Sequence, residues 1–488
     1  MTPTLILLIF IAYTLLLFAI TFITARRANH QSFYIGNKAS PWYVVAYGMI
    51  GASLSGVTFM SVPGWVGETQ FSYMMVAFGY FFGYVVIALV LLPLYYRLKL
   101  TSIYGYLEQR FGFWSYKTGA GFFILSRVLG ASLRMFLVIN VLQIFVFDAW
   151  NIPFWVNVLI FIALIIIYTL KGGIRTIIWT DTLQTTFMLL AVVLSVFFIS
   201  RELGEPVQKL MRNLFDSDMS RIVITDWDHP RHFIKQFFSG MFITITMTGL
   251  DQEMMQKNLS IRRLMDAQKN MFTFSTINLV VVFMFLVLGA FLVFFARAES
   301  INVAMTDDLF PTIAFRYLSP AAGIVFLIGL ISAAFPSADG ALTSLTTSFS
   351  IDFLGLEKKT EMDNARKTRI RYTVHFSFAL IFFICILAFR QMNDRAIIDK
   401  LFTIAGYTYG PLLGLYTFGL FTKRSVTDRF TPWIAIISPV LCYFLNIFSE
   451  ELFNGYRFGF EMLLVNGFLT FMGLLIFSRK GSKTVGEA

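Results

Sequence analysis

The sequence predicts an all-α, polytopic membrane protein with about 13 transmembrane helices. Ten of them form two five-helix halves as an inverted repeat, with one extra helix before and two after. Three observations carry this. Thirteen long apolar stretches fill most of the 488 residues. Cations concentrate on alternate loops. The first stretch of each five-helix set is interrupted by small and polar residues, and broken helices at matching positions of two halves point to a transporter's binding site.

Hydrophobic residues make up 57% of the chain and charged residues only 14%, with a mean hydropathy of +0.71. Soluble domains average about 25% charged residues, so that class is excluded. The 56 phenylalanines suit a lipid-facing surface. A net charge of +11 would suit nucleic acid, but its placement says otherwise. From an extracytoplasmic N-terminus, the cytoplasmic loops are 25–41, 97–117, 171–175, 257–269, 358–371, 423–429 and the tail from 479, and they hold 25 of the 39 Lys and Arg. The longest opposite loop, 201–236, offsets six cations with six acids. That asymmetry is a topology signal with the C-terminus inside, as in a multi-pass protein of a bacterial inner membrane. Cys385 and Cys442 both lie in apolar spans, so no disulfide framework or thiolate metal site is expected. The stretch 4–24 lacks a preceding basic region and is too long for a signal-peptide core, so it reads as a retained first span.

The spans are 4–24, 42–66, 72–96, 120–147, 153–170, 176–200, 233–256, 271–296, 321–350, 372–389, 401–421, 431–448 and 458–477, each near the ~20 residues that cross a bilayer. They form one membrane domain, 1–488, with halves 42–200 and 233–421, two added helices in 431–477 and a cytoplasmic tail, 478–488. The second span carries Gly48, Gly51, Ser53, Ser55 and Gly56, then Thr58 and Pro63, a density that weakens a helix and frees carbonyls. The seventh carries Ser239-Gly240, then Thr244, Thr246, Thr248, Gly249, Asp251 and Gln252. The plain alternative is that such residues are common where membrane helices pack.

Charged residues inside a membrane are expensive and default to functional hypotheses. Arg127 and Arg134 lie seven residues apart, on one face of the fourth span. Arg134 is deep, and its planar fork suits a carboxylate, either on a substrate or on Asp181 or Asp339 of neighbouring spans. Arg127, nearer the cytoplasmic end, reads as structural. In the ninth span Ala333, Ser337, Gly340 and Ser344 recur at helical spacing. A hydroxyl there, with a carbonyl one turn earlier, suits a hard cation such as sodium. A small-residue packing face with hydroxyls bonded back to carbonyls is the alternative. Pro336 removes an amide and leaves the Ser332 carbonyl without its helical partner.

With these residues in view, the chain resembles the sodium/solute symporter family, which includes sugar, proline, iodide and sialic acid transporters. The resemblance rests on Leu100-Thr-Ser-Ile-Tyr-Gly-Tyr-Leu-Glu-Gln-Arg-Phe-Gly112, Gly172-Gly-Ile-Arg-Thr-Ile-Ile-Trp-Thr-Asp181 and Ser337-Ala-Asp-Gly-Ala-Leu-Thr-Ser-Leu-Thr-Thr-Ser-Phe-Ser-Ile-Asp352, in family order. It implies a LeuT-like 5+5 inverted repeat with alternating access around a midplane site. It implies a sodium site at the carbonyls of Gly51, Leu54 and Ala333 and the hydroxyl of Ser337, where Pro336 replaces one of two usual hydroxyl residues. A second cation or proton site is implied at Asp181, Asp339 and Gly340. In an ideal helix Asp339 is turned roughly 160° from Ser337, so the two would serve different ions. Substrate contacts would fall on Ser55, Thr58, Arg134, Thr244 and Asn278. Sugar transporters of the family place an aromatic gate where this chain has Met247, and a lysine near Asn278.

The expected function is sodium-coupled symport of a small organic solute into the cell, with an anionic or carboxylate-bearing solute such as a sialic acid or monocarboxylate first and a sugar next. Sodium is the expected metal, with no organic cofactor, no nucleic acid, the lipid bilayer as surroundings and a monomer as the working unit. The alternatives are a proton-coupled symporter of the same fold, a non-transporting sensor that keeps the fold, and an intramembrane aspartyl hydrolase using Asp181 and Asp339, with two carboxylates sharing a proton.

Overall fold

The computed structural model describes residues 1–25, 38, 40–169, 173–359, 361–391 and 397–480. In chain order the α-helices are α1 (Pro3–Ala25), α2 (Trp42–Ser53), α3 (Gly56–Thr69), α4 (Tyr73–Val86), α5 (Leu92–Arg97), α6 (Gly105–Arg110), α7 (Phe113–Leu142), α8 (Phe154–Thr169), α9 (Gly173–Glu202) and α10 (Val207–Phe215). There follow α11 (Phe233–Thr244), α12 (Gln252–Leu259), α13 (Leu264–Ala298), α14 (Leu309–Thr312), α15 (Pro320–Ser348), α16 (Asn364–Gln391), α17 (Ile397–Phe421), α18 (Thr431–Ile447), α19 (Ser449–Leu452) and α20 (Met462–Ile476). A short antiparallel ribbon, β1 (Ser425–Val426) with β2 (Ser478–Arg479), ties the end of α20 to the loop after α17. The loop residues 26–37, the tail beyond 480 and Gly172 of the second motif, all used in the sequence reading, lie outside the described residues.

Among the described residues, eight helices are long and apolar enough to cross a membrane, and α2 with α3, bent by 56° at their junction, make a ninth. The expected count of 13 is therefore not reached on length and composition. Four predicted spans fall short for different reasons. The fifth is apolar over only Phe154–Ile167 and the last is the 15-residue α20. The eleventh, α17, has the length but is diluted by glycine, threonine and tyrosine. The seventh splits into α11 and α12, of which α12 is mostly polar. Polar and short segments are compatible with membrane depth only when protein surrounds them. The whole of α12 is in fact buried.

The core is organised around α15. From Phe326 to Ser348 this helix is almost wholly buried, with α9 packed along one side and α7 along another. The α2–α3 pair sits between α9 and α13, and α4 crosses α11 closely. Glycine sets that last distance. A Cβ on Gly240 of α11 would collide with the Val76 carbonyl of α4, and one on Gly79 of α4 with the Phe237 carbonyl of α11. Two helices meet this closely only where side chains are absent, which is how small residues replace hydrophobic burial as the source of cohesion in a bilayer.

Outside the spans, the segment between α13 and α15 folds back on the bundle. Asp307 there is 5% exposed, and its Oδ2 accepts from the Ile397 amide at 2.8 Å. Burial pushes this carboxyl up to about 6, against the lowering pull of that amide.

Two outcomes follow. Gly240→Val should cost about 1–3 kcal/mol through overpacking, read as a lower melting temperature of detergent-solubilised protein. The native state holds the Asp307 proton more tightly than the unfolded chain does. Stability should therefore fall as pH rises from about 4 to about 6 and level off above, and Asp307→Asn should flatten that slope in melts across the same range.

Candidate functional site

The α2–α3 junction is made by Leu54 (φ −89°, ψ 76°) and extended Ser55 (φ −71°, ψ 177°). The Leu54 amide reaches back to the Ile50 carbonyl at 2.8 Å. Carbonyls in the last turn of a helix that stops here have no helical amide to accept from. The junction is pinned on one side by α9, where the Gly51 amide donates to Thr185 Oγ1 at 3.0 Å and that hydroxyl donates to the Asp181 carbonyl at 2.7 Å. On the other side it meets α15, since a Cβ on Gly56 would stand 4.0 Å from the Ala334 Cα, next to Ala333.

Ser344, Thr346 and Thr347 each donate to a carbonyl three or four residues earlier. Ser337 and Thr343, each 1% exposed, have hydroxyls with no hydrogen-bond partner among the described residues, and of the two Ser337 lies nearer Ala333. A buried, unengaged oxygen is costly unless something else occupies it. The helix runs on through Pro336, so the Ser332 carbonyl loses its amide partner, while the Ser332 hydroxyl pairs with the Tyr13 hydroxyl of α1 at 2.6 Å.

The second break runs from a π-turn at Ile245–Gly249 through Leu250 and Asp251 into α12. Side chains staple it. Tyr95 donates to the Gly249 carbonyl at 2.8 Å and Tyr104 to the Leu250 carbonyl at 3.0 Å. Gln252 accepts from the Ile103 amide at 3.0 Å and donates to the Thr101 carbonyl at 2.9 Å. The Asp251 carboxylate caps α12 by accepting from the amides of Glu253 and Met254, and also accepts from the Tyr409 hydroxyl at 2.8 Å. Part of the Leu100–Gly112 motif is thus a clamp for this break.

A buried ion cluster continues from it. Lys257 Nζ lies 2.7 Å from Asp181 Oδ2 and 3.4 Å from Glu253 Oε1, with all three side chains at most 1% exposed. Arg127 reaches Glu253 and, at 3.6 Å, Asp251. The sequence reading placed Lys257 in a cytoplasmic loop. It is instead inside the protein, because the chain re-enters a helix after the break and stays covered through Leu259. Asp181 is thus paired with a lysine, a partner that the hydrolase reading did not include. Asp339 Oδ1 accepts from the Gly340 amide at 2.5 Å, and Gly340 lies against the Glu253 carboxylate. The sequence contained one sign of the cluster, the i,i+4 spacing of Glu253 and Lys257. Its partner across the bundle was not legible.

Ser55, Thr58, Arg134, Thr244 and Asn278 all line one cavity with ≈ 690 Å³ of empty space, part of it continuous with solvent. Arg127, Met247, Thr248 and the side chains of Tyr73, Tyr80 and Tyr84 share its wall, and the sequence reading had not singled out these tyrosines. Tyr73 and Tyr80 are linked hydroxyl to hydroxyl at 3.0 Å, and Phe402 stacks on the Tyr73 ring. Arg134 makes no ion pair among the described residues, and its Nε has no hydrogen-bond partner there; nor does the amide oxygen of Asn278. The two arginines of α7, on one face, therefore differ: one is neutralised by the protein and the other is not.

The family model described as the sodium:solute symporter family matches residues 33–429. The sodium/sialic acid symporter of Proteus mirabilis is 21% identical over 412 residues, 83% of this chain and 82% of that protein. The sodium-coupled monocarboxylate transporter 1 of Mus musculus is 24% identical over 408 residues, 80% of this chain but 64% of that longer protein. The solved structure of a substrate-bound, outward-open Na+-coupled sialic acid symporter superposes with a TM-score of 0.80 at 18% identity, covering 96% of this chain and 97% of that one. This likeness shows the fold.

Arg127→Met should leave Asp251 buried with no ion pair among the described residues and Glu253 with Lys257 as its one remaining counter-charge there, at a cost of about 3–5 kcal/mol. Pairing it with Glu253→Gln should recover much of the loss, as read by melting temperature in detergent.

Proposed function

The chain belongs to the sodium:solute symporter family, and we propose that it imports a small carboxylate-bearing solute together with sodium by alternating access. It is a secondary transporter, not an enzyme, and sodium is its coupling ion. The observation that carries the choice of solute is Arg134: a guanidinium lining the cavity that makes no ion pair among the described residues. The hydroxyls of Ser55, Thr58 and Thr244 and the Asn278 amide around it suit a solute with further polar groups. Relatives named for sialic acid and for monocarboxylates support the same class.

Sodium binds, in this reading, to the carbonyls of Gly51, Leu54 and Ala333 and the hydroxyl of Ser337, at the unwound α2–α3 junction against α15. Hard cations take oxygen ligands of this kind. The free Ser332 carbonyl stands in for the hydroxyl that Pro336 replaces. An ion that ties the junction to α15 rigidifies one wall of the solute cavity and so raises solute affinity, and by linkage the solute raises sodium affinity equally. The proposed frame is 13 crossings, with 42–200 and 233–421 as inverted halves. The N-terminus lies outside and the C-terminus in the cytoplasm of a bacterial inner membrane, and the monomer is the working unit.

Uptake of labelled sialic acids, monocarboxylates, sugars and amino acids into proteoliposomes, in sodium and in choline media, tests the whole. Equal rates in the two media would end the proposal. Ser337→Ala should raise the sodium concentration for half-maximal uptake about tenfold, equivalent to ~1.4 kcal/mol. Arg134→Ala should lower affinity for the acidic solute about 10- to 100-fold, the scale of a lost charge-assisted hydrogen bond, while sodium binding stays unchanged. Pro336→Ser should keep activity or tighten sodium binding.

A further inference from the structure

We infer that the Lys257 ammonium is a built-in cation that fills the pocket at Asp181, so that no second sodium binds there. Its Nζ sits between Asp181 Oδ2 at 2.7 Å and Glu253 Oε1 at 3.4 Å. These are the oxygen donors that a small hard cation would take at this depth. The fit is built on three elements. Asp181 comes from α9, Lys257 and Glu253 come from one face of α12, and Gly340 of α15 has no Cβ where the Glu253 carboxylate lies. Any side chain at 340 would push that carboxylate out of place.

A tethered ammonium differs from a dissolved ion in two ways. It cannot leave for either side of the membrane, so its presence does not vary with the sodium gradient. It also repels a second cation strongly, because little water screens the two charges in a buried site. The remaining oxygen, Asp181 Oδ1, has no hydrogen-bond partner among the described residues, and the ammonium beside it opposes any metal ion that would use it. Lys257 thereby limits this pocket to a structural charge. One sodium per chain then remains, at the Ser337 site, and that count alone rests on the function proposed above.

Equilibrium binding of radioactive sodium to the purified full chain, with no solute present, tests this. Wild type and Lys257→Arg should saturate at one sodium per chain and Lys257→Ala at two. Removing a buried cation alone endangers folding. The double variant Lys257→Gln, Glu253→Gln removes one charge of each sign and should also gain one sodium, at Asp181. Wild type binding two, or folded variants binding no more than wild type, overturns the inference. Wild type binding none while Lys257→Ala binds one supports it and removes the Ser337 site instead, so the two readings fail separately.

Discussion

Everything in this protein depends on a shortage of water. At the depth of a bilayer, a backbone carbonyl or amide that leaves a helix has nothing to bond to except the protein itself. Breaking α2 from α3, and α11 from α12, therefore commits other parts of the chain to supplying partners. The second break receives several: Tyr95 and Tyr104 take the Gly249 and Leu250 carbonyls, and Gln252 ties the break to two backbone groups of the loop before α6. The first break is different. Thr185 secures the Gly51 amide, and Ser337 of the neighbouring α15 has a hydroxyl with no hydrogen-bond partner among the described residues. The second break is stapled by side chains, while beside the first a hydroxyl of α15 stays unengaged among the described residues.

Charge follows the same logic. Asp181, Asp251, Glu253, Arg127 and Lys257 form a buried cluster that joins α7, α9 and α12, with α17 added through Tyr409. Such a cluster is weak evidence for stability, since the ions give up their hydration to form it. It does impose register. An α12 shifted by one residue would bury unpaired ions, so the segment after the second break has one permitted position. Arg134 stands two turns along α7 from Arg127 and is left out of this arrangement. A guanidinium that makes no ion pair among the described residues suits the proposed site, where specificity would come from the ligand's own charge.

The cavity walls divide the labour. Tyr73, Tyr80 and Phe402 make a rigid aromatic side whose rings lock one another by stacking and by a hydroxyl contact. Facing them are short hydroxyl side chains on the two broken segments, which move only as their backbones move. A solute that spans the two sides would thus report directly on the geometry of the breaks. Leu54 and Ser55 of the α2–α3 junction also line the cavity, so the proposed ion and solute sites share one element, which is the condition for energetic coupling.

Membrane residence, the two interrupted spans and the residues of one cavity were all legible in the chain itself. Apolar length, glycine and serine density and helical spacing are local properties, and lipid makes them decisive. Ser55, Thr58, Arg134, Thr244 and Asn278 come from four separate spans, yet their resemblance to a family's motifs already grouped them, and they do meet at one void. Tertiary structure alone decided which charges pair. Lys257 looked like a loop cation because hydropathy records that a residue is polar and not what surrounds it. Only the fold brings Asp181 of α9 to that ammonium, 76 positions away in sequence. Length and apolarity by themselves pick out only eight or nine crossings among the described residues, because a segment walled in by protein needs neither the length nor the apolarity that lipid demands. Local chemistry is written along the chain, whereas the neutralisation of buried charge is a property of neighbours, and neighbours exist only once the helices have packed.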